Sequence, residues 1–169
     1  KNKGDYNNAL DYLDRSIKIF EELDDKHQMT TFLGTLGWVL NDIGDYDKAL
    51  DHFTRELKIN EEFGMKENIS GSLLGIGFAY GGKGYSDKAL DYFTRSLKIA
   101  EELSDNKEQL IYILWCLGDY YSYSYDYDNK ALDYFTRSLQ TAKEINNKVG
   151  MRLPLFSIGV TYYSKGDYD

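Results

Sequence analysis

Asp87–Leu97 reads DKALDYFTRSL, and the same phrase occurs four times along the chain. Asn7–Ile17 reads NNALDYLDRSI, Asp47–Leu57 reads DKALDHFTREL and Asn129–Leu139 reads NKALDYFTRSL. Ala9, Ala49, Ala89 and Ala131 hold the same place in each copy. A second series runs between them: Leu36-Gly37, Ile76-Gly77, Leu117-Gly118 and Ile158-Gly159. Both series recur every 40 to 42 residues. A fixed period of this size marks a repeat array in which each unit buries a face only against its neighbours.

Each unit reads as two helices. Ala89, Leu90, Phe93, Leu97, Ala100 and Leu103 recur at helical spacing. Asp91 and Arg95 stand at i, i+4 on the polar side, as do Asp11/Arg15, Asp51/Arg55 and Asp133/Arg137, which describes a solvated outer face. The preceding helix carries Leu73, Ile76, Gly77 and Tyr80 on one stripe and stops at Gly81-Gly82-Lys83-Gly84. Asp87, Asp47, Asn7 and Asn129 stand where N-caps are expected. Pro154 fits the first turn of the last helix. The pattern predicts helices over 7–23, 28–43, 47–63, 67–82, 87–104, 107–123, 129–145 and 150–165.

Leu36, Gly37, Leu40, Gly44, Tyr46, Ala49 and Phe53 form a motif repeated as Ile76, Gly77, Tyr80, Gly84, Ala89 and Phe93. This motif resembles the tetratricopeptide repeat, in a variety longer than the usual ~34 residues and similar to that of kinesin light chains and Rap- or MalT-type regulators. The resemblance implies an all-α fold, an α-α superhelix of antiparallel helix pairs. It divides residues 1–169 into a half-repeat 1–27, repeats 28–66, 67–106 and 107–147, and a half-repeat 148–169, as in a fragment of a longer protein. Two departures stand out. Glu56 occupies the place of Ser16, Ser96 and Ser138, where it is expected to reach solvent or splay its helix pair. The turn Tyr123–Asn129 lacks the glycine of its counterparts and is one residue longer.

A net charge of −8 argues against nucleic acid and anionic membranes, both of which call for clustered Lys and Arg. No apolar run is long enough to span a bilayer. The single Cys116 forms no intrachain disulfide, which suits a reducing, cytoplasmic setting. The sequon Asn68-Ile69-Ser70 would matter only in a secreted protein.

Signals for catalysis are weak. His27 and His52 lie on different helices without ligand spacing, so no metal site is expected. Cys116 reads as a structural thiol, and Asp126/Asp128/Asn129 lacks the glycine and distal glutamate of an EF-hand. Gly75-Ile76-Gly77 and Gly81–Gly84 lie in and after a helix, not between strand and helix as a phosphate loop requires. The expectation is a binding protein, not an enzyme, with no cofactor.

The resemblance places the first helix of each unit on an inner, concave surface. Its inward positions include Gly34, Trp38, Asn41, Asp42, Leu74, Phe78, Gly81, Tyr112, Trp115, Asp119, Tyr123, Leu153, Phe156, Val160 and Tyr163. Trp38, Leu74, Phe78, Tyr112, Trp115, Phe156, Val160 and Tyr163 are the candidate contacts for a protein or peptide laid in that groove. Large flat side chains bury much area at little entropic cost. The competing reading of the same aromatics is core filling between neighbouring units. A ligand-sensing regulatory segment and a structural spacer are the alternative functions, with head-to-tail self-association through the end helices.

Overall fold

The structure, a computed structural model, describes residues 3–103, 106–123 and 128–165. These residues form eight helices: α1 (Lys3–Glu22), α2 (Lys26–Ile43), α3 (Tyr46–Glu62), α4 (Lys66–Gly82), α5 (Ser86–Glu102), α6 (Lys107–Ser122), α7 (Asp128–Glu144) and α8 (Arg152–Lys165). The fold is all-α, as the period requires. The chain divides into two compact units, Lys1–Ser96 and Leu97–Asp169.

The helix starts correct the expected caps. The carboxylate of Asp45, not Asp47, accepts from the Lys48 N–H at 3.4 Å. Asp25 and Asn106 cap α2 and α6 in the same way, accepting from Gln28 N–H at 3.1 Å and Gln109 N–H at 3.2 Å. Asp47 and Asp87 lie inside the first turn, where a carboxylate still favours the positive helix end. Asn7 and Asn129 are likewise inside α1 and α7. A side-chain cap must sit one residue before the helix to reach the N–H three residues on, and Asp45 alone has that reach in α3. The turns close at left-handed residues, Gly44 within a pair and Asp24, Gly64 and Asn146 between pairs. Asp and Asn tolerate that conformation better than other side chains. Pro154 is buried in the first turn of α8, where no intrahelical N–H is lost.

Packing in the first unit centres on Phe53, which is fully buried. Its ring lies against Gly37 of α2 and Gly75 of α4: a Cβ on either would come within 2.7 and 2.5 Å of a ring carbon. A Cβ added to Gly77 would likewise stand 2.5 Å from the Phe93 ring. In the second unit a Cβ added to Gly118 would stand 2.5 Å from the Phe135 ring. Aromatic edges continue the contact, with Trp38 5.3 Å from Phe53 and 5.7 Å from Phe78, and Phe78 5.2 Å from Phe93. Ser96 and Ser138, both buried, donate to the carbonyls of Ser70 at 2.7 Å and Ile111 at 2.8 Å.

The outer side of the pairs is built from tyrosine and cations. Tyr80 and Tyr92 stack at 5.5 Å, with Lys88 over the first ring and Arg95 over the second. Tyr121 and Tyr134 stack at 5.5 Å under Lys130 and Arg137. Two of the four expected i, i+4 ion pairs form, Asp11–Arg15 at 3.6 Å and Asp91–Arg95 at 3.8 Å. Arg55 reaches instead to Glu21, and Arg137 to Glu101 at 2.7 Å, both on the preceding long-phrase helix. Such exposed pairs are worth about 0.2–1 kcal/mol each.

Two glycines of α4 should respond oppositely to the same change. Gly71 has nothing within 4 Å of an added Cβ, so Gly71→Ala should stabilise by roughly 0.5–1 kcal/mol through helix propensity alone. Gly75→Ala should destabilise despite that gain, because its Cβ would enter the Phe53 ring. Urea unfolding of both variants checks the sign of each.

Candidate functional site

Successive first helices carry residues in register on one stripe. Gly34, Leu74, Trp115 and Phe156 share one place, and Trp38, Phe78, Asp119 and Val160 the next turn. In the first unit, Trp38 and Phe78 are half-buried, each touching a core phenylalanine while keeping part of its surface in solvent. Leu74 is 2% exposed and belongs to the core, which corrects its assignment as a contact residue. Its place on α4 lies against packed side chains.

In the second unit Trp115 is half-buried, its indole N–H donating to Ser157 Oγ at 3.0 Å and its ring 6.1 Å from Tyr112. Tyr112, Val160 and Tyr163 are exposed, and Phe156 is 72% exposed. Burial raises the carboxyl of Asp119 above its ordinary value. Trp38, Phe78 and Trp115 thus pack on one side and keep part of their surface in solvent.

Leu153 and Tyr123 are also exposed, Gly81 is half-buried, and α2 ends its stripe with half-buried Asn41 and exposed Asp42. Asn41 Oδ1 is buried without a hydrogen-bond partner.

Cys116 is buried, and burial pushes its thiol up to about 12, so it is a packing residue. His27 is exposed, while His52 is half-buried and held below its ordinary value by desolvation. No group of three or more His, Cys, Asp or Glu that could hold a metal exists among the described residues. Of the acidic turn, Asp126 lies outside the described residues. No described helix is long and apolar enough to cross a membrane.

Glu56 is the feature that sequence reasoning misjudged. It keeps only part of its surface in solvent and does not repeat the serine contact; its carboxyl folds over Gly34. Oε1 and Oε2 lie 2.9 and 3.2 Å from where a Gly34 Cβ would stand. Ser72 and Asn60 hydrogen-bond to it, and burial pushes the carboxyl up to about 7. The signal was present as an exchange of size. Gly34 replaces the large residues Leu74, Trp115 and Phe156, while Glu56 replaces the small Ser96 and Ser138.

The tetratricopeptide repeat family models match residues 2–62 and 70–103, more than half of the chain. The chain belongs to the tetratricopeptide repeat family. No curated protein matches it. Among solved structures it is similar to a Rap protein complexed with Competence and Sporulation Factor, at 18% identity and a TM-score of 0.82 over 99% of this chain and 46% of that one. It is similar to BtubC (BKLC) from P. vanneervenii at 19% identity and a TM-score of 0.76, over 98% of this chain and 68% of that one. A putative kinesin light chain from P. anserina with TPR-like repeats matches at 13% identity and a TM-score of 0.70, over 98% of this chain and 81% of its own length. The tetratricopeptide chain thus spans about half of the Rap protein and two-thirds of BtubC. As a tetratricopeptide array it is a repeat scaffold of the protein-interaction class.

Glu56 gives the fold a pH dependence whose sign is fixed. Its proton is held up to about 7 in the folded chain, against an ordinary value of 4.5. Ionisation therefore opposes folding, and stability falls as pH rises between those values, by at most about 3 kcal/mol. Urea unfolding at about pH 5 and pH 8 should show this loss in the parent chain, and Glu56→Gln should reduce it.

Proposed function

We propose that the chain binds a peptide or helix of another protein along the inner stripes of its first helices. The observation that carries this is the pair Trp38 and Phe78, 5.7 Å apart on α2 and α4, both half-buried and both backed by core phenylalanines. Rings held from behind present a rigid apolar surface, which binds with little loss of side-chain entropy. The α2 and α4 segments carry no lysine or arginine beyond their first residues, Lys26 and Lys66. A clamp for a C-terminal carboxylate is not built from such a surface.

In the second unit the same reading extends to Tyr112, Trp115, Phe156, Val160 and Tyr163. The Rap structure holds Competence and Sporulation Factor, which makes a peptide-sized ligand a natural first candidate. On this reading the repeats act as a binding scaffold in the cytoplasm, without cofactor or catalysis.

A second reading concerns α8. Leu155 is 52% exposed, whereas Leu33, Leu73 and Leu114, its counterparts, are buried. An added Cβ on Gly159 would meet nothing within 4 Å, whereas Gly37, Gly77 and Gly118 each meet a phenylalanine ring. This row fits a helix of the ALDYF kind, and α1 of another copy offers ALDYL at 9–13. Head-to-tail association of this type is open-ended.

Peptides selected from a displayed library test the first reading. Trp38→Ala and Phe78→Ala should each weaken binding at least roughly tenfold. Phe63→Ala, at an exposed residue ending α3, should leave it unchanged. Equal binding by all three would refute the proposal. Sedimentation velocity across a concentration series tests the second: the parent chain should grow in size, and Leu155→Glu should stop it. A parent chain that stays monomeric throughout rules association out.

A further inference from the structure

We propose that the Glu56 carboxyl, reaching through the notch at Gly34 beside Trp38, is a subsite for the guanidinium of an arginine in the bound peptide. The inference rests on the inner-face reading above and adds a chemical class to it. All the residues involved lie in the first unit.

Geometry gives the opening. Gly34 and Trp38 are one turn apart on α2 and so share a face. At the corresponding places on α4 and α6 stand Leu74 and Trp115, large enough to cover what lies beneath. Gly34 covers nothing, and the carboxyl oxygens of Glu56 occupy the space its side chain would have filled. Gly34 itself is buried beneath that carboxyl, while Glu56 keeps part of its surface in solvent.

Acceptors exceed donors around it. Ser72 has one hydroxyl proton and two claimants, the Asn68 carbonyl at 3.0 Å and the Glu56 carboxyl. Asn60, with no exposed surface, donates from Nδ2 to Ser72 Oγ at 3.1 Å. Its Oδ1 is buried without a partner, as is Asn41 Oδ1 at the far end of the same α2 stripe. Unpaired buried acceptors cost free energy until a donor arrives. No lysine or arginine among the described residues pairs with Glu56.

A guanidinium answers the Glu56 carboxyl and the neighbouring aromatic face together. It offers a planar fork of N–H donors to a carboxylate and stacks on an aromatic face, here Trp38. It also supplies the positive charge that lets a half-buried carboxyl ionise at neutral pH. An ammonium would satisfy the charge but not the planar contact, and a neutral side chain neither.

The probe is N-acetyl-arginine amide, with N-acetyl-citrulline amide as its neutral isostere, titrated into the chain while the Trp38 indole resonance is followed by NMR. Arginine should shift that resonance saturably and citrulline should not. Two variants remove the subsite in opposite ways: Glu56→Gln keeps the volume and deletes the charge, and Gly34→Leu/Glu56→Ser restores the residue sizes found at the corresponding places of the next repeat. Each should weaken the arginine response at least roughly tenfold. No saturable shift, an equal response to citrulline, or an undiminished response in a variant that retains its helix content overturns the subsite. Library-selected peptides keep the two proposals apart. If they bind the parent chain and the double variant equally, the inner face stands and the arginine subsite falls. If none binds the parent chain, the inner-face reading falls, and the small-probe titration still decides the subsite.

Discussion

The seating of Phe53 between Gly37 and Gly75 is the contact on which the first unit depends. Helices α2 and α4 leave only hydrogen toward the ring, so the phenylalanine of α3 enters the space that two Cβ atoms would have taken. A helix can approach another this closely only where side chains are absent. Complete burial of such a ring contributes on the order of 2–3 kcal/mol, and it fixes the depth at which α3 sits. Ala49, fully buried one turn earlier, is small for the same reason. Phe93 on Gly77 and Phe135 on Gly118 repeat the contact, which explains why Ala and Phe hold their places in both later copies of the long phrase.

Once the wedge sets the spacing, the remaining positions are free to trade volume. The places of Gly34, Leu74 and Trp115 and of Glu56, Ser96 and Ser138 behave as coupled halves. Where the first helix carries a large residue, the second carries a serine whose hydroxyl bonds a backbone carbonyl. Where the first carries glycine, the second carries a glutamate that fills the vacancy. The exchange conserves volume but not polarity: an apolar side chain is replaced by a carboxyl with too few donors. A close-packed interior tolerates the first kind of change more readily than the second. The raised proton affinity of Glu56 is the mark of that imbalance.

The helices and their pairing were legible because they follow from periodicity, which local sequence states many times over. Leu36, Gly37, Ala49 and Phe53 place two helices and their contact before any coordinate is known. The caps were less legible. Asp45 and Asp47 are both plausible starts in GDYDKAL, and only the backbone decides which carboxylate meets an N–H. Arg55 and Arg137 were assigned to intrahelical partners because i+4 spacing is visible in sequence, whereas Glu21 and Glu101 come near only through packing. Leu74 was misplaced because the inner stripe of one helix says nothing of how deeply it lies. Glu56 was misread for a related cause: its fate depends on an absent side chain at Gly34, twenty-two positions earlier.

Charge separates the two sides of these helix pairs. Cations are engaged away from the inner stripe: Lys88 and Arg95 over the stacked Tyr80 and Tyr92, Lys130 and Arg137 over Tyr121 and Tyr134, Lys83 with Asp47 and Lys107 with Glu144. Each ring and carboxylate there already has its counter-charge, so a further cation would gain little by approaching. The α2 stripe is different in kind, with Trp38, Asn41, Asp42 and the Glu56 carboxyl and no cation beyond its first turn. With a net charge of −8, the chain as a whole repels anionic partners. A partner drawn by that field is most strongly rewarded where an acceptor is half-desolvated and unmatched, because there the Coulomb attraction is least screened. The net charge of the chain and the local arrangement around Gly34 therefore support the proposed positive charge on the ligand in the same sense.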